Sequence, residues 1–271
     1  MKPGTISCVC GLAISLLMPG NPFAFAQGNA QPAVGNAQKS PAAEPFLIVP
    51  VRVHLLRSTE TPAAGTRLSF EDVRRIFKKA NGIWHMAGIH LYVQSIVSEN
   101  ARPATGFEHA TVMPYSILLS LRPEASKPAG MFHVYYLGEI PPNGVFMQTD
   151  GIFVKETASL MPVEGGIDEP LPRVTAHELG HGMGLPHRQN LTNLMASGTT
   201  GTSLNSEEIA TVHRTLSKLP WVQTPQQFLD NADRLLAAGK KPEALAHYRT
   251  ILDLPVEISI KKLAKEKAAK K

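Results

Sequence analysis

Residues 175–187 read TAHELGHGMGLPH and carry three histidines and a glutamate at fixed spacing. In an α-helix, positions i and i+4 lie one above the other on the same face. His177 and His181 can therefore share one ion. Glu178 is turned by about 100° from His177, which can bring its carboxylate near a water held at that ion. Gly184 falls where a helix bearing both histidines has to stop, because glycine tolerates positive φ and a sharp change of direction. The chain then passes Leu185 and Pro186 to His187, a third imidazole that need not lie on the helix. Three neutral nitrogens with one open position make a catalytic rather than a structural zinc site. The competing reading is a histidine-rich helix in the core. Five fixed positions, HExxHxxGxxH, weigh against it, since their chance occurrence at this chain's residue frequencies is on the order of one in ten thousand.

The elements that must position these residues follow from periodicity. Phe46 to Leu56, FLIVPVRVHLL, is a β-branched strand, with Pro50 marking an irregularity or an edge. Ser69 caps a helix with acids in its first turn, and Val73, Ile76, Phe77, Ala80 and Ile83 repeat at helical spacing. The chain leaves that helix at Gly88 and enters a second strand, in which His85 and His90 nearby are packing or surface residues. A short helix is expected over Pro114–Leu121 and a buried strand over Met131–Leu137. Asn143-Gly144 signals a turn, after which Val145–Thr149 and Ile152–Val154 form a strand pair or a bulged edge. Pro172 is expected to begin the histidine-bearing helix, and Ser206 to open another over Glu207–Leu219. Beyond it, residues 221–256 read as a helical hairpin turning at Gly239-Lys240-Lys241. Its Leu235, Leu236, Gly239, Ala244, Leu245, Tyr248, Leu252 and Pro255 resemble one tetratricopeptide repeat, a unit that needs about three copies to build a solenoid.

The motif His177-Glu178-x-x-His181-x-x-Gly184-x-x-His187, followed eight residues later by Met195 in NLMASG, resembles the metzincin clan of zinc peptidases. The resemblance implies His177, His181 and His187 as ligands to Zn²⁺, Glu178 as general base, and Met195 as a hydrophobic floor beneath the metal. It also implies an α+β fold: a twisted mixed sheet with an antiparallel edge strand, an active-site helix, and a small lower part after Gly184. That domain is placed at 45–220. Ala196-Ser197-Gly198 stand where several of these families carry a tyrosine, so no tyrosine ligand is assigned. Arg188, directly after the third histidine, matches no family label, and the subfamily stays open. The implied activity is hydrolysis of protein or peptide substrates. A non-catalytic secreted zinc-binding protein, acting on a protein partner or on itself through residues 221–256, is one alternative. A zinc hydrolase of non-protein amides is another. Glu178 favours an enzyme, because a pure binder needs the ligands but not an acid–base group.

The N-terminus carries a different signal. Lys2, the apolar run Cys8–Met18 and the small-x-small triplet Ala24-Phe25-Ala26 form a secretory signal peptide over 1–26, followed by a flexible Ala/Gly/Asn/Gln/Pro linker over 27–44. A membrane anchor is the competing reading, disfavoured because Pro19-Gly20 ends a short apolar core. Both cysteines, Cys8 and Cys10, lie in the leader, so the mature chain has none; this suits a periplasmic or secreted bacterial protein. The net charge of +5 equals that of the last eleven residues alone, where six lysines meet one glutamate. The rest of the chain is neutral, which speaks against a nucleic-acid-binding surface. Residues 257–271 are expected as a basic tail, a solvated and fraying helix end rather than a binding arm. The mature protein is expected to start at or near Gln27. Mass spectrometry of exported protein checks this, and an intact Met1 terminus on that protein contradicts the leader.

Overall fold

The structure, a computed structural model, describes residues 46–104, 106–107, 115–123, 129–148 and 151–269. The expected leader and linker lie outside the described residues, as do Pro114, Thr149 and the last two lysines. Among the described residues, no helix is long and apolar enough to cross a membrane. Five strands form one sheet: β1 (Leu47–Arg57), β2 (Ile89–Asn100), β3 (Phe132–Leu137), β4 (Gly144–Phe146) and β5 (Ile152–Lys155), in spatial order β2-β1-β3-β5-β4. β1 runs parallel to β2 and β3, and β3 to β5; β4 alone is antiparallel, at an edge. The sheet is thus mixed and mostly parallel.

β1 is buried on both faces, and its alternation sorts two cores. Leu47, Val49, Val51, Val53 and Leu55 face one cluster, while Ile48 and Leu56 belong to clusters on the other side. Pro50 is not at a sheet edge. It stands between the mutual backbone bonds of Ile48 with Gln223 (2.8 and 3.1 Å) and the first β3 pairing at Val51, where its missing N–H breaks no ladder. An irregularity does follow, between Val51 and Arg52.

The first face is covered by α1 (Phe70–Trp84) and α3 (Pro170–Gly182). α1 starts in a capping box: the Asp72 amide donates to Ser69 Oγ (3.1 Å) and the Ser69 amide to the Asp72 carboxylate (2.9 Å). It ends before Gly88, whose φ of +67° turns the chain into β2. α3 begins two residues earlier than the sequence suggested, at Pro170. Both prolines fit its first turn, where backbone N–H groups have no helical partner. The hydroxyls of Tyr136 on β3 and Thr175 on α3 bond at 2.8 Å within the core, tying the helix to the sheet. On the opposite face, α2 (Tyr115–Ser120) contributes Leu118 to a cluster with Leu56, Tyr135 and Phe153. α4 (Ser206–Leu216) is capped by Asn205, one residue before the expected Ser206, and stops three residues short of Leu219.

Three helices follow: α5 (Pro225–Ala237), α6 (Lys241–Asp253) and α7 (Ile258–Ala269). The lysine-rich end is helical through Ala269, and this helix is packed at Ala264 rather than wholly solvated. Ala264 is buried, and Lys267 pairs with Asp233 of α5. Gly239, with φ of +75°, makes the turn between α5 and α6. Phe228, Leu229, Ala232, Tyr248 and Ile251 join Ile48 in one buried cluster, with Phe46 and Tyr92 against it. These helices cover the start of β1 and β2, so their removal bares apolar sheet. Phe228 sits at the contact, 4.9 Å edge-to-face from Tyr92 and 4.3 Å from His247 between ring centroids. Phe228→Ala is expected to cost about 3–5 kcal/mol in denaturant unfolding. A loss below about 1 kcal/mol would show that this helical layer does not seal the sheet.

Candidate active site

α3 carries His177 and His181 on one face, and the reversal after Met183 returns His187 to them. Gly184 has φ of +91°, and a Cβ there would lie 2.6 Å from Thr215 Oγ1 of α4, so both backbone and space demand glycine. The three imidazoles converge through Nε2: His181 Nε2 is 3.2 Å from that of His177 and 3.1 Å from that of His187. The other nitrogens of His177 and His181 face protein. His177 Nδ1 donates to Leu194 O at 2.8 Å and His181 Nδ1 to Leu185 O at 2.7 Å, which leaves each Nε2 a lone pair for a metal. Burial, helped by the nearby Arg173 charge, pushes His177 down to about 3 and keeps it neutral; burial lowers His181 too. His177 is buried, His181 half-buried and His187 exposed, so the site opens on the His187 side. Among the described residues these three form the one group of histidine, cysteine or acidic side chains able to hold a metal ion.

Glu178 lies on the neighbouring face of α3, 6 % exposed. Burial pushes its carboxyl up to about 8, against the pull of Arg173 and a hydrogen bond from the Phe146 amide. The edge strand β4 packs close over Glu178 because Gly144 has no side chain. A Cβ at Gly144 would meet Glu178 Cγ and Val174 Cγ1, each at 2.8 Å. β4 joins β5 through odd-numbered residues, with Met147 N to Gly151 O at 2.9 Å and Lys155 N to Asn143 O at 3.1 Å. Gly144 and Phe146 therefore turn their backbone groups away from β5, and on that side the Phe146 amide meets Glu178.

The segment beneath the histidines is held by two buried charges. Arg173, 1 % exposed, donates from α3 to the carbonyls of Gly201 (3.2 Å), Asn193 (3.4 Å) and Ala196. Glu208, at the start of α4, accepts from Arg188 Nε (2.7 Å), Asn193 Nδ2 (2.9 Å) and the Asn205 amide (2.9 Å). Burial opposes its charge, but these donors outweigh burial and hold its carboxyl below the usual value. Arg188 in turn donates its amide to Met195 O at 2.9 Å, and Asn193 Oδ1 accepts from Met195 N at 2.7 Å. Met195 is fully buried and lies against α3 at Gly180, where a Cβ would come within 2.7 Å of its sulfur.

No protein-family model and no curated protein matches the chain. Among solved structures it is similar to mirolysin in complex with compound 9, at 11% identity over 64% of this chain and 92% of that one, TM-score 0.43. It is similar to a zinc-dependent peptidase from Methanocorpusculum labreanum, at 16% identity over 60% and 99%, TM-score 0.40. A third is archaemetzincin from Methanopyrus kandleri, at 14% identity over 66% and 99%, TM-score 0.43. At such distance these likenesses decide nothing about this chain, whose chemistry has to rest on its own residues.

Every residue singled out from the motif, His177, Glu178, His181, Gly184, His187 and Met195, lies at this one place. Arg173, Glu208, Asn193, Gly144 and Gly180 were not singled out for it. A buried arginine one turn before the first histidine was the one legible hint, since His177 lies four residues after Arg173 on the same face. Glu208→Ala strips the carboxylate from Arg188, Asn193 and the α4 cap together. It is expected to cost about 3 kcal/mol of stability and to weaken divalent-ion binding about tenfold or more. Ion titration of folded protein checks this; unchanged affinity would show that Glu208 does not position His187.

Proposed function

We propose that the chain is an exported zinc-dependent peptidase of the metzincin type. The convergence of the three Nε2 atoms, with the buried Glu178 carboxyl on the adjacent helix face, carries the reading. The donor set fits zinc. Tetrahedral zinc with Zn–N bonds of about 2.0–2.1 Å spaces its nitrogens about 3.3 Å apart, close to the 3.1 and 3.2 Å seen between the imidazoles. When bound, zinc supplies a Lewis acid that lowers the pKa of water towards neutrality and polarises a carbonyl. The chain's own residues do the rest. His177, His181 and His187 hold the ion, and the carbonyls of Leu194 and Leu185 fix the ring orientation of the first two. Glu178 takes the proton of the attacking water and passes it to the leaving amine. Met195, wedged at Gly180, floors the ligand cluster. An extended peptide adds antiparallel to β4 through the backbone groups of Gly144 and the carbonyl of Phe146. The pattern of Lys2, Cys8–Met18 and Ala24–Ala26 supports export.

Glu178→Gln separates this reading from a zinc-binding protein without activity. The amide keeps the size of the side chain but cannot accept a proton. Zinc content and fold are expected to persist while turnover falls by at least about 10²–10⁴-fold. Cleavage of a broad peptide library by wild type and variant, with metal analysis of both, makes the comparison. Zinc-loaded wild-type protein that cleaves nothing in the library would sink the peptidase reading.

A further inference from the structure

A cavity of about 610 Å³ lies at the Phe146 end of β4. Phe132, Phe146, Leu219 and Trp221 line it, with Met131 and the backbone of Gly182. Gly182 follows the ligand His181 directly, so the wall of the cavity begins one residue, about 3.8 Å of chain, from the metal ligands. A side chain at Gly182 would come within 2.9 Å of Phe132 and 3.4 Å of Phe146, which would close that wall. Phe132 and Trp221 meet edge to face, 5.1 Å between centroids at 90°. These aromatic side chains are half-buried, unlike those of the sealed core, so their faces are offered to whatever enters.

The direction of β4 decides which part of a substrate reaches this cavity. The strand runs from Gly144, beside Glu178, to Phe146, at the cavity. A peptide added antiparallel runs the other way, so its N-terminal portion lies at the Phe146 end. Two strand residues cover about 7 Å, which puts the cavity within about three residues of the bond beside Glu178. We propose that this cavity is a subsite for a bulky apolar side chain, aromatic above all, within three residues on the N-terminal side of the scissile bond. The inference rests on the peptidase reading and names the substrate class for it: unfolded or extended segments rich in Phe, Tyr, Trp or Leu.

Zinc-loaded mature protein, offered peptides randomised at the positions N-terminal to the cleaved bond, tests this by mass spectrometry of the products. Bulky apolar residues are expected to be enriched at one of the three positions. Exchanging the best of them for alanine should lower kcat/KM at least about tenfold. In Trp221→Ala the ratio between those two peptides should shrink below about twofold, a change that general destabilisation does not produce. Cleavage without such a preference, or a ratio retained in Trp221→Ala, overturns the subsite and leaves the peptidase reading standing. No cleavage at all overturns both. Should Trp221→Ala not fold, binding to the zinc-loaded Glu178→Gln protein gives the second readout. Of the two tryptophans, Trp84 is fully buried and Trp221 half-buried at the cavity, so the share of emission that an aqueous quencher can reach reports on Trp221. The aromatic peptide should saturate the change at a concentration at least about tenfold below the alanine peptide, and equal concentrations overturn the subsite.

Discussion

The third histidine is off the helix that bears the other two, and returning it to within 3.1 Å of His181 Nε2 is the constraint on which the site depends. Reversal at Gly184 is the local part of the answer. The larger part is holding a long segment without helix or strand against α3 when the two cysteines of the chain both fall in its first ten residues. Buried charge does what a disulfide does elsewhere. Arg173 reaches carbonyls of the segment from above, and Glu208 collects Arg188, Asn193 and the α4 cap from below. Each charge carries a desolvation cost, offset only because several aligned partners meet it at once. That arrangement is directional, and direction is what the placement of an imidazole requires.

Around this frame, glycine sets the distances. At Gly180 the absent Cβ lets the Met195 sulfur lie on the helix between the two ligands, and at Gly144 it lets the edge strand press onto Glu178. The histidine cluster is thus packed from below by a thioether and flanked by backbone. Rings whose Nδ1 atoms are tied to carbonyls need little reorganisation to accept an ion, which favours tight and geometrically selective binding.

The C-terminal helices belong to the same economy. A sheet with one face under α1 and α3 has a second face to cover, and at the start of β1 and β2 the layer α5–α7 does so. Gln223 adds two backbone bonds to β1 just before α5. Trp221, in the same connection, leans on Phe132 at the cavity beside β4. The connection therefore joins sheet cover and cavity wall.

The converging histidines and the base candidate were readable from the sequence because helical spacing and a helix-ending glycine are local properties: His177, Glu178, His181, Gly184 and His187 lie within eleven residues. The strands and the capped helix α1 were legible for the same reason, through alternation, periodicity and Ser69. Tertiary structure alone decided the rest. That Pro50 sits in a central strand depends on where β3 begins its pairing. That the helix of the lysine-rich end packs instead of fraying in solvent depends on Ala264 finding the α5–α6 pair and on Lys267 finding Asp233. Glu208 looked like one of two acids opening a helix, and became the hub of the lower segment only when Arg188 and Asn193, fifteen or more residues away, were brought to it. Arg173, Gly144 and Gly180 act through atoms distant in sequence, and no local pattern encodes what a missing Cβ will face or which carbonyls a buried guanidinium will find.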